Sequence, residues 1–398
     1  MRHWTDEQRA LRSTAEAVGA DLGAGHGERD ARGEFAWDGW RHLRGIGLFG
    51  TPFDSAWGGA GLDLPSLMYV FEGLGYRCPD AGLVFSACTH IVSTGVPLQR
   101  FGSKELKARH LPRVCAGDVI GAHAITEPDG GSDVLAMRTT ARRDGEEFVL
   151  DGSKAFVTNG PIADLVVVYA RTGAPGHLDG ITAFLVPTDT AGVAHGRPLT
   201  KMGLRTSPLS ELFLSDVRIP RSHVLGTVGS GFLVLDEVMK WEILCGFAGI
   251  LGEMQHRLER CVEHARGRHQ FGRHIGANQA VSHRIVDMQI GLETSRKWLY
   301  DTADKFTAGQ SVATDLAITK LVVSEANVSS ALAAVQIFGG HGYTAEYGLE
   351  GDLRNAVAGT IYSGTSEIQR ERLAAFLGLS RAAARGVQDA QGVKEQTT

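Results

Sequence analysis

A chain of 398 residues with 43% hydrophobic and 21% charged residues is an ordinary globular protein, long enough for two or three packed layers or domains and for a buried cofactor, and not a disordered or fibrous one. The net charge is −5 with acidic and basic residues mixed along the chain, so no basic stripe exists to neutralise a phosphate backbone and nucleic acid is excluded as a partner. Its five cysteines, Cys78, Cys88, Cys115, Cys245 and Cys261, lack CxxC spacing and mostly sit among apolar neighbours, which suits a reducing, cytoplasmic setting without disulfides or a metal such as zinc.

The first predicted element begins at Thr5, a helix cap followed by Asp6 and Glu7 in the first turn, and reads as a folded beginning rather than a signal peptide. Helical spacing continues to about Ala116: Leu11, Ala15 and Val18 share one face, as do Leu67, Val70, Phe71 and Leu74, with a Gly/Pro break at Trp57 to Leu64. From about Val119 to Leu225 short β-type runs replace it, at Glu147 to Leu150, Leu165 to Ala170, Thr182 to Val186 and Glu211 to Leu214, with Asp144-Gly145 and Asp151-Gly152 predicted as tight turns. Helical spacing returns after Gly229 in long segments at Phe232 to Arg266, Asn278 to Phe306 and Val312 to Phe338. The predicted organisation is an N-terminal α-helical domain over 1–118, a central β domain over 119–228, a C-terminal helical domain over 229–380 and a flexible tail over 381–398. No uninterrupted apolar run of about 18 residues marks a membrane span, so no membrane partner is expected.

Residues Ile125 to Asp133 read ITEPDGGSD and Phe156 to Gly160 read FVTNG. Gly130 and Gly131 let backbone N–H groups approach a ligand, and Thr126, Ser132 and Thr158 offer hydroxyls to a flavin ring or pyrophosphate, although loops of this composition are usually only loops. Further on, Lys201 to Pro220 read KMGLRTSPLSELFLSDVRIP, Arg268 to Gln279 RHQFGRHIGANQ, Gln336 to Tyr343 QIFGGHGY and Ile361 to Arg370 IYSGTSEIQR. Together, in this order and over about residues 4 to 380, these segments resemble the acyl-CoA dehydrogenase family.

The resemblance implies an α+β fold, with an all-α N-terminal domain, a central β-barrel-like domain and a C-terminal four-helix bundle, assembled as a homotetramer that is a dimer of dimers. It implies FAD as cofactor and α,β-dehydrogenation of an acyl thioester, with an electron-transfer flavoprotein as acceptor. His123, Ile125, Thr126, Gly131 and Ser132 match the loop lining the flavin, and Phe156 and Thr158 the segment packed against its ring. Thr365, Glu367 and Gln369 match the segment holding its adenosine and ribityl portions. Arg268, Gln270, Phe271, Gln279, Gln336 and Gly340 match groups that reach FAD from the neighbouring subunit.

Most relatives carry the catalytic glutamate where this chain has Ser363, whose hydroxyl cannot accept an α proton without an activating base. The chain resembles instead the isovaleryl-CoA and long-chain acyl-CoA dehydrogenases, whose glutamate lies on an earlier helix; the matching residue is Glu242, with Gly246 and Gly249 on the same helical face. Ser363 then contributes only its backbone N–H, to the developing enolate oxygen. Asp236, Glu237 and Glu253 on the same segment read as solvated carboxylates. Relatives commonly follow this base with an arginine that helps bind CoA, whereas this chain has Ile243, a loss for which Lys240 or Arg205 could compensate. Acyl-CoA is the first expectation for the substrate; an acyl or aminoacyl group on a carrier protein is the alternative. A flavin monooxygenase or oxidase, or a non-catalytic FAD-binding protein, are the other readings.

Overall fold

The structure is a computed structural model that describes residues 3–379, so the predicted tail at 381–398 lies outside the described residues. Helix α1 (Asp6–Asp21) starts where its cap predicts: Gln8 N–H donates to the Thr5 hydroxyl at 3.2 Å, and Thr5 N–H donates back to Gln8 Oε1 at 2.9 Å. Then follow α2 (His26–Arg32), α3 (Trp37–Gly45), α4 (Leu64–Arg77), α5 (Ala81–Thr89), α6 (Val96–Phe101) and α7 (Lys104–Ala116). Between α5 and α6 the backbone winds as a π-helix over His90–Gly95. Two helical stretches are long and apolar enough to cross a membrane by length and composition, though neither is an unbroken apolar run. Ala81–Phe101 is 94% buried inside the fold and Ala313–Phe338 44%.

Eight strands form the middle of the chain: β1 (Gly121–Ala124), β2 (Thr140–Asp144), β3 (Glu147–Thr158), β4 (Leu165–Arg171), β5 (Ile181–Pro187), β6 (Val193–His195), β7 (Leu209–Pro220) and β8 (Val224–Leu225). Their order is β6-β7-β3-β2-β4-β5-β8, with β1 parallel to β4. Strand alternation gives the sheet two buried faces. On β4, Val166, Val168 and Ala170 join a core made of strand residues, with Leu150, Phe184 and Leu212, whereas Leu165, Val167 and Tyr169 join the core shared with the helices. Asp144-Gly145 turns the chain between β2 and β3 as expected, but Asp151-Gly152 does not. It lies inside β3 where the register against β7 shifts between Leu150 and Gly152, a bulge rather than a turn. Gly152 has φ 151 there, and a Cβ on it would come within 2.8 Å of Thr139 Cα.

The chain continues through α8 (Gly231–Gly267), the two-strand ribbon β9 (His269–Gln270) and β10 (Arg273–His274), α9 (Gln279–Thr307), α10 (Ala313–Phe338), α11 (Gly340–Tyr343), α12 (Leu349–Ala358) and α13 (Ser366–Phe376). Helix α10 packs against α8, α9, α12 and α13. Helix α8 crosses α4 at glycine contacts: a Cβ on Gly75 would lie 2.0 Å from Gly249 O, and one on Gly252 2.1 Å from Glu72 O. Buried Glu72 closes the same junction, accepting from Tyr300 Oη at 2.7 Å and pairing with Arg12 and Arg296 at 3.1 Å. That crossing fixes the middle of α8, and with it Glu242, against the N-terminal helices.

Candidate functional site

Glu242 is 9% exposed, in the most deeply packed stretch of α8. Three side chains from three parts of the chain face its carboxylate. The Ser363 hydroxyl donates to Oε1 at 2.5 Å, the Ser93 hydroxyl donates to Oε2 at 3.4 Å, and His123 Nε2 stands 3.4 Å from Oε2. A buried carboxylate needs such partners, since charge taken out of water without them is strongly unfavourable. Ser363, expected to contribute only its backbone N–H, thus also brings its hydroxyl to the site, as a donor to Glu242. Its own N–H has no protein acceptor among the described residues, and its φ of 54 holds it in the left-handed region. Gln369 Nε2 donates to Ser363 O at 3.1 Å and so holds that turn.

The partners of Glu242 are held in turn. Ser93 comes from the π-helical stretch, whose other residues grip β1: Gly121 N–H donates to His90 Nδ1 at 3.0 Å, and the Thr94 hydroxyl donates to Ala122 O at 2.9 Å. His90 Nε2 then donates to Val114 O at 2.9 Å, and burial pushes its basicity down to about 4, so this ring is a neutral strut. Asn159, left-handed at φ 62, donates to Ser86 O and Gly121 O at 3.1 Å each. His123 thus sits on a strand anchored from two sides. Burial lowers its basicity and the charge of Glu242 partly offsets this, so the neutral ring donating from Nε2 fits the contact. Sequence reading placed His123 against the flavin; its contact with Glu242 was not foreseen.

The loop after β1 is shaped by a buried pair. Glu127 accepts backbone N–H bonds from Arg138 at 2.6 Å and Thr139 at 2.8 Å, and its other partner is Lys154 Nζ at 2.9 Å. This clamp carries Ile125, Thr126, Gly131 and Ser132 round one bend, and that loop lines a cavity of about 130 Å³ with Gly130, Gly131 and Met137. At the end of β3 Phe156 is left-handed at φ 56 and 63% exposed, presenting its ring to the surface beside Thr158. Thr365 caps α13 by accepting from Ile368 N–H at 3.3 Å, with exposed Glu367 in the first turn. His123 Nδ1, Ser366 Oγ and Gln369 Oε1 are buried without protein partners. Unmatched polar atoms, a glycine loop and a presented aromatic ring are features that a flavin with its ribityl chain could use.

The second group of expected residues lies elsewhere. Arg268, Gln270, Gln279, Gln336 and Gly340 are all exposed on the C-terminal helical part, and Phe271 is 98% exposed at φ 53 on the β9-β10 ribbon. No hydrogen bond or ion pair among the described residues joins them to the Glu242 group. Of the carboxylates read as solvated, Asp236 pairs with Lys240 at 2.6 Å and Glu237 with Arg100 at 3.0 Å. Glu253 departs from the expectation: it lines a narrow cavity beside Gly246 and Gly249, and burial, only partly offset by Arg257, pushes its carboxyl up to about 7.

The chain matches the acyl-CoA dehydrogenase N-terminal domain over residues 5–118, the middle domain over 122–217 and the C-terminal domain over 229–378. It is 40% identical over 342 residues to an L-prolyl-[peptidyl-carrier protein] dehydrogenase of Pseudomonas fluorescens, covering 85% of this chain and 90% of that one. Among solved structures it is similar to the prolyl acyl carrier protein oxidase AnaB, with TM-score 0.92 and 37% identity over 95% of this chain and all of that one. The FAD complex of PigA matches with TM-score 0.92 and 36% identity over 95% and 99%.

Proposed function

The chain belongs to the acyl-CoA dehydrogenase family of FAD-dependent oxidoreductases acting on CH–CH groups, and from that premise we propose that it oxidises an acyl or aminoacyl thioester on a carrier protein, with Glu242 as base. The observation that carries the substrate reading stands beside the base. Ile243 is 1% exposed where relatives commonly have a CoA-binding arginine. The cations that could compensate are engaged: Lys240 pairs with Asp236, and Arg205 donates to Ala31 O at 2.9 Å. The similar proteins, a prolyl carrier-protein dehydrogenase and a prolyl carrier-protein oxidase, point the same way, to a carrier protein ahead of CoA.

The residues divide the chemistry. Bound FAD supplies the hydride acceptor. Glu242, buried and aimed by Ser363, Ser93 and His123, removes the α proton as a poorly solvated carboxylate. The Ser363 N–H donates to the thioester carbonyl as charge develops on its oxygen. For a simple acyl group the product is the trans-2-enoyl thioester. An electron-transfer flavoprotein takes the electrons onward. Two chains share each FAD within a homotetramer, the exposed Phe271 ribbon reaching the neighbour's cofactor.

The test presents the same acyl groups, prolyl and butyryl, on carrier protein and on CoA to the FAD-loaded enzyme without oxygen, and follows bleaching of the flavin. Bleaching at least tenfold faster from the carrier is expected. Equal or faster bleaching from CoA would return CoA to first place, and none from any thioester would leave a non-catalytic flavoprotein.

A further inference from the structure

Eleven positions separate Glu242 from Glu253, and at 100° per residue Glu253 points within 20° of the same direction three turns along α8, roughly 16 Å down the axis. Between them on that face lie Gly246 and Gly249. A Cβ on Gly246 would meet only Cys88 Sγ at 4.0 Å, and one on Gly249 would meet Val84 Cγ1 at 3.6 Å, so the helix offers a smooth floor between the two carboxyls. The cavity over that floor holds about 30 Å³, roughly the share of volume of one water.

Its far end is polar and unmatched. Asn327 Oδ1 accepts from Arg257 Nη1 at 3.0 Å and Asn355 Oδ1 accepts from Leu204 N–H at 2.6 Å, which orients both amides and leaves each Nδ2 without a protein acceptor among the described residues. Both amides line the cavity with Tyr362 and Glu253, and neither the Tyr362 hydroxyl nor the Glu253 carboxyl has a hydrogen bond within the protein among the described residues. Two amide donors, a phenol and a carboxyl around one small space suit a water or a substrate hydroxyl. An alkyl chain driven into that space would strip all four of water and return nothing.

We infer that Glu253, with Asn327, Asn355 and Tyr362, is a polar stop that limits the acyl group to a short one and rejects longer aliphatic chains. The inference rests on the function proposed above, since it takes the face of α8 beyond Glu242 as the path of the acyl group. It adds the determinant of chain length. A residue of this type in a cavity that took long alkyl chains would be a standing obstacle; in one that takes short groups it keeps a solvated end.

The experiment measures flavin reduction of the FAD-loaded enzyme by butyryl and octanoyl thioesters on whichever carrier the wild type accepts, and reads the ratio of kcat/KM. The wild type is expected to favour butyryl at least tenfold. In Glu253→Leu and Glu253→Met the ratio is expected to move at least tenfold toward octanoyl, about 1.4 kcal/mol. A wild type that takes octanoyl as well as butyryl overturns the stop, as do FAD-loaded variants that keep the wild-type ratio. If neither variant retains FAD, Tyr362→Phe decides: a shift of threefold or more toward octanoyl supports the stop, and an unmoved ratio overturns it. Reduction with unmoved ratios defeats this inference alone, whereas a wild type reduced by no thioester defeats the proposed function with it.

Discussion

Replacing Lys154 with methionine removes one ammonium from the interior and keeps most of the stem. Lys154 is fully buried, with Nζ 2.9 Å from Glu127 Oε1 and 3.1 Å from Ile125 O. Burial alone would raise the Glu127 carboxyl; Lys154 and the two backbone donors outweigh it and bring the group from 4.5 down to about 2. Burial also pushes Lys154 down to about 8 despite Glu127. The intact pair is therefore near break-even, but removing one partner strands the other, at about 3–5 kcal/mol, with the lower end expected because two N–H donors remain. At roughly 2–4 °C per kcal/mol for a unit of 150–250 residues, melting should fall on the order of 6 °C or more. The loop carrying Gly131 and Ser132 loses its clamp, so FAD should dissociate more readily. Because Glu127's folded value lies below its unfolded one, its contribution is complete above about pH 4.5 and is lost as pH falls toward 2. Thermal melts with and without added FAD at pH 7 are the assay, and a Lys154→Met/Glu127→Gln pair, which removes both charges and keeps an amide oxygen for the backbone donors, should recover part of the loss. Melting within about 1 °C of wild type, with full FAD, would refute the reasoning.

Other perturbations address the site and its surroundings. His123→Leu removes the Nε2 donor facing Glu242 and should slow flavin bleaching about 10–100-fold with FAD retained; His123→Gln keeps an amide donor and should recover part of the rate, while equal rates for the two would reduce His123 to packing. All five cysteines are buried, and burial pushes Cys115 up to about 11 and Cys261 up to about 12. The native enzyme should consume almost no thiol reagent and the unfolded chain five equivalents; rapid native labelling of any cysteine would contradict that burial. Phe271→Ala, at a position 98% exposed, should lower FAD retention without lowering the stability of the isolated fold. Unchanged FAD content and unchanged mass in solution would contradict a shared cofactor site.

What could be read without coordinates follows from the range of the interactions. Capping at Thr5, the long helical segments of α8, α9 and α10 and the apolar β-type run of β4 are local properties, and they appear where patterning places them. Asp151-Gly152 failed for the opposite reason: the dipeptide has turn chemistry, but strand pairing with β7 over 12 residues of β3 overrides it and leaves a bulge. The expectation for Glu242 follows from Ser363 standing where relatives carry the base, but the bond between those two residues spans 121 positions and no local signal announces it. The contacts of His123 and Ser93 are of the same kind, and Ser93 depends on a π-helical turn that composition does not mark. Glu253 was read as solvated, but it is half-buried and lines a narrow cavity, and its angle on the α8 wheel, close to that of Glu242, turns it toward the same side.

Anaerobic stopped-flow bleaching of the flavin in Glu242→Gln, with a thioester that reduces the wild type, tests the central claim most directly. The amide keeps the size of the side chain and an oxygen for the Ser363 hydroxyl but takes no proton. FAD should remain fully bound while bleaching slows by about 10²–10⁴-fold, the range for loss of a positioned base. Bleaching at the wild-type rate would mean that another group takes the α proton.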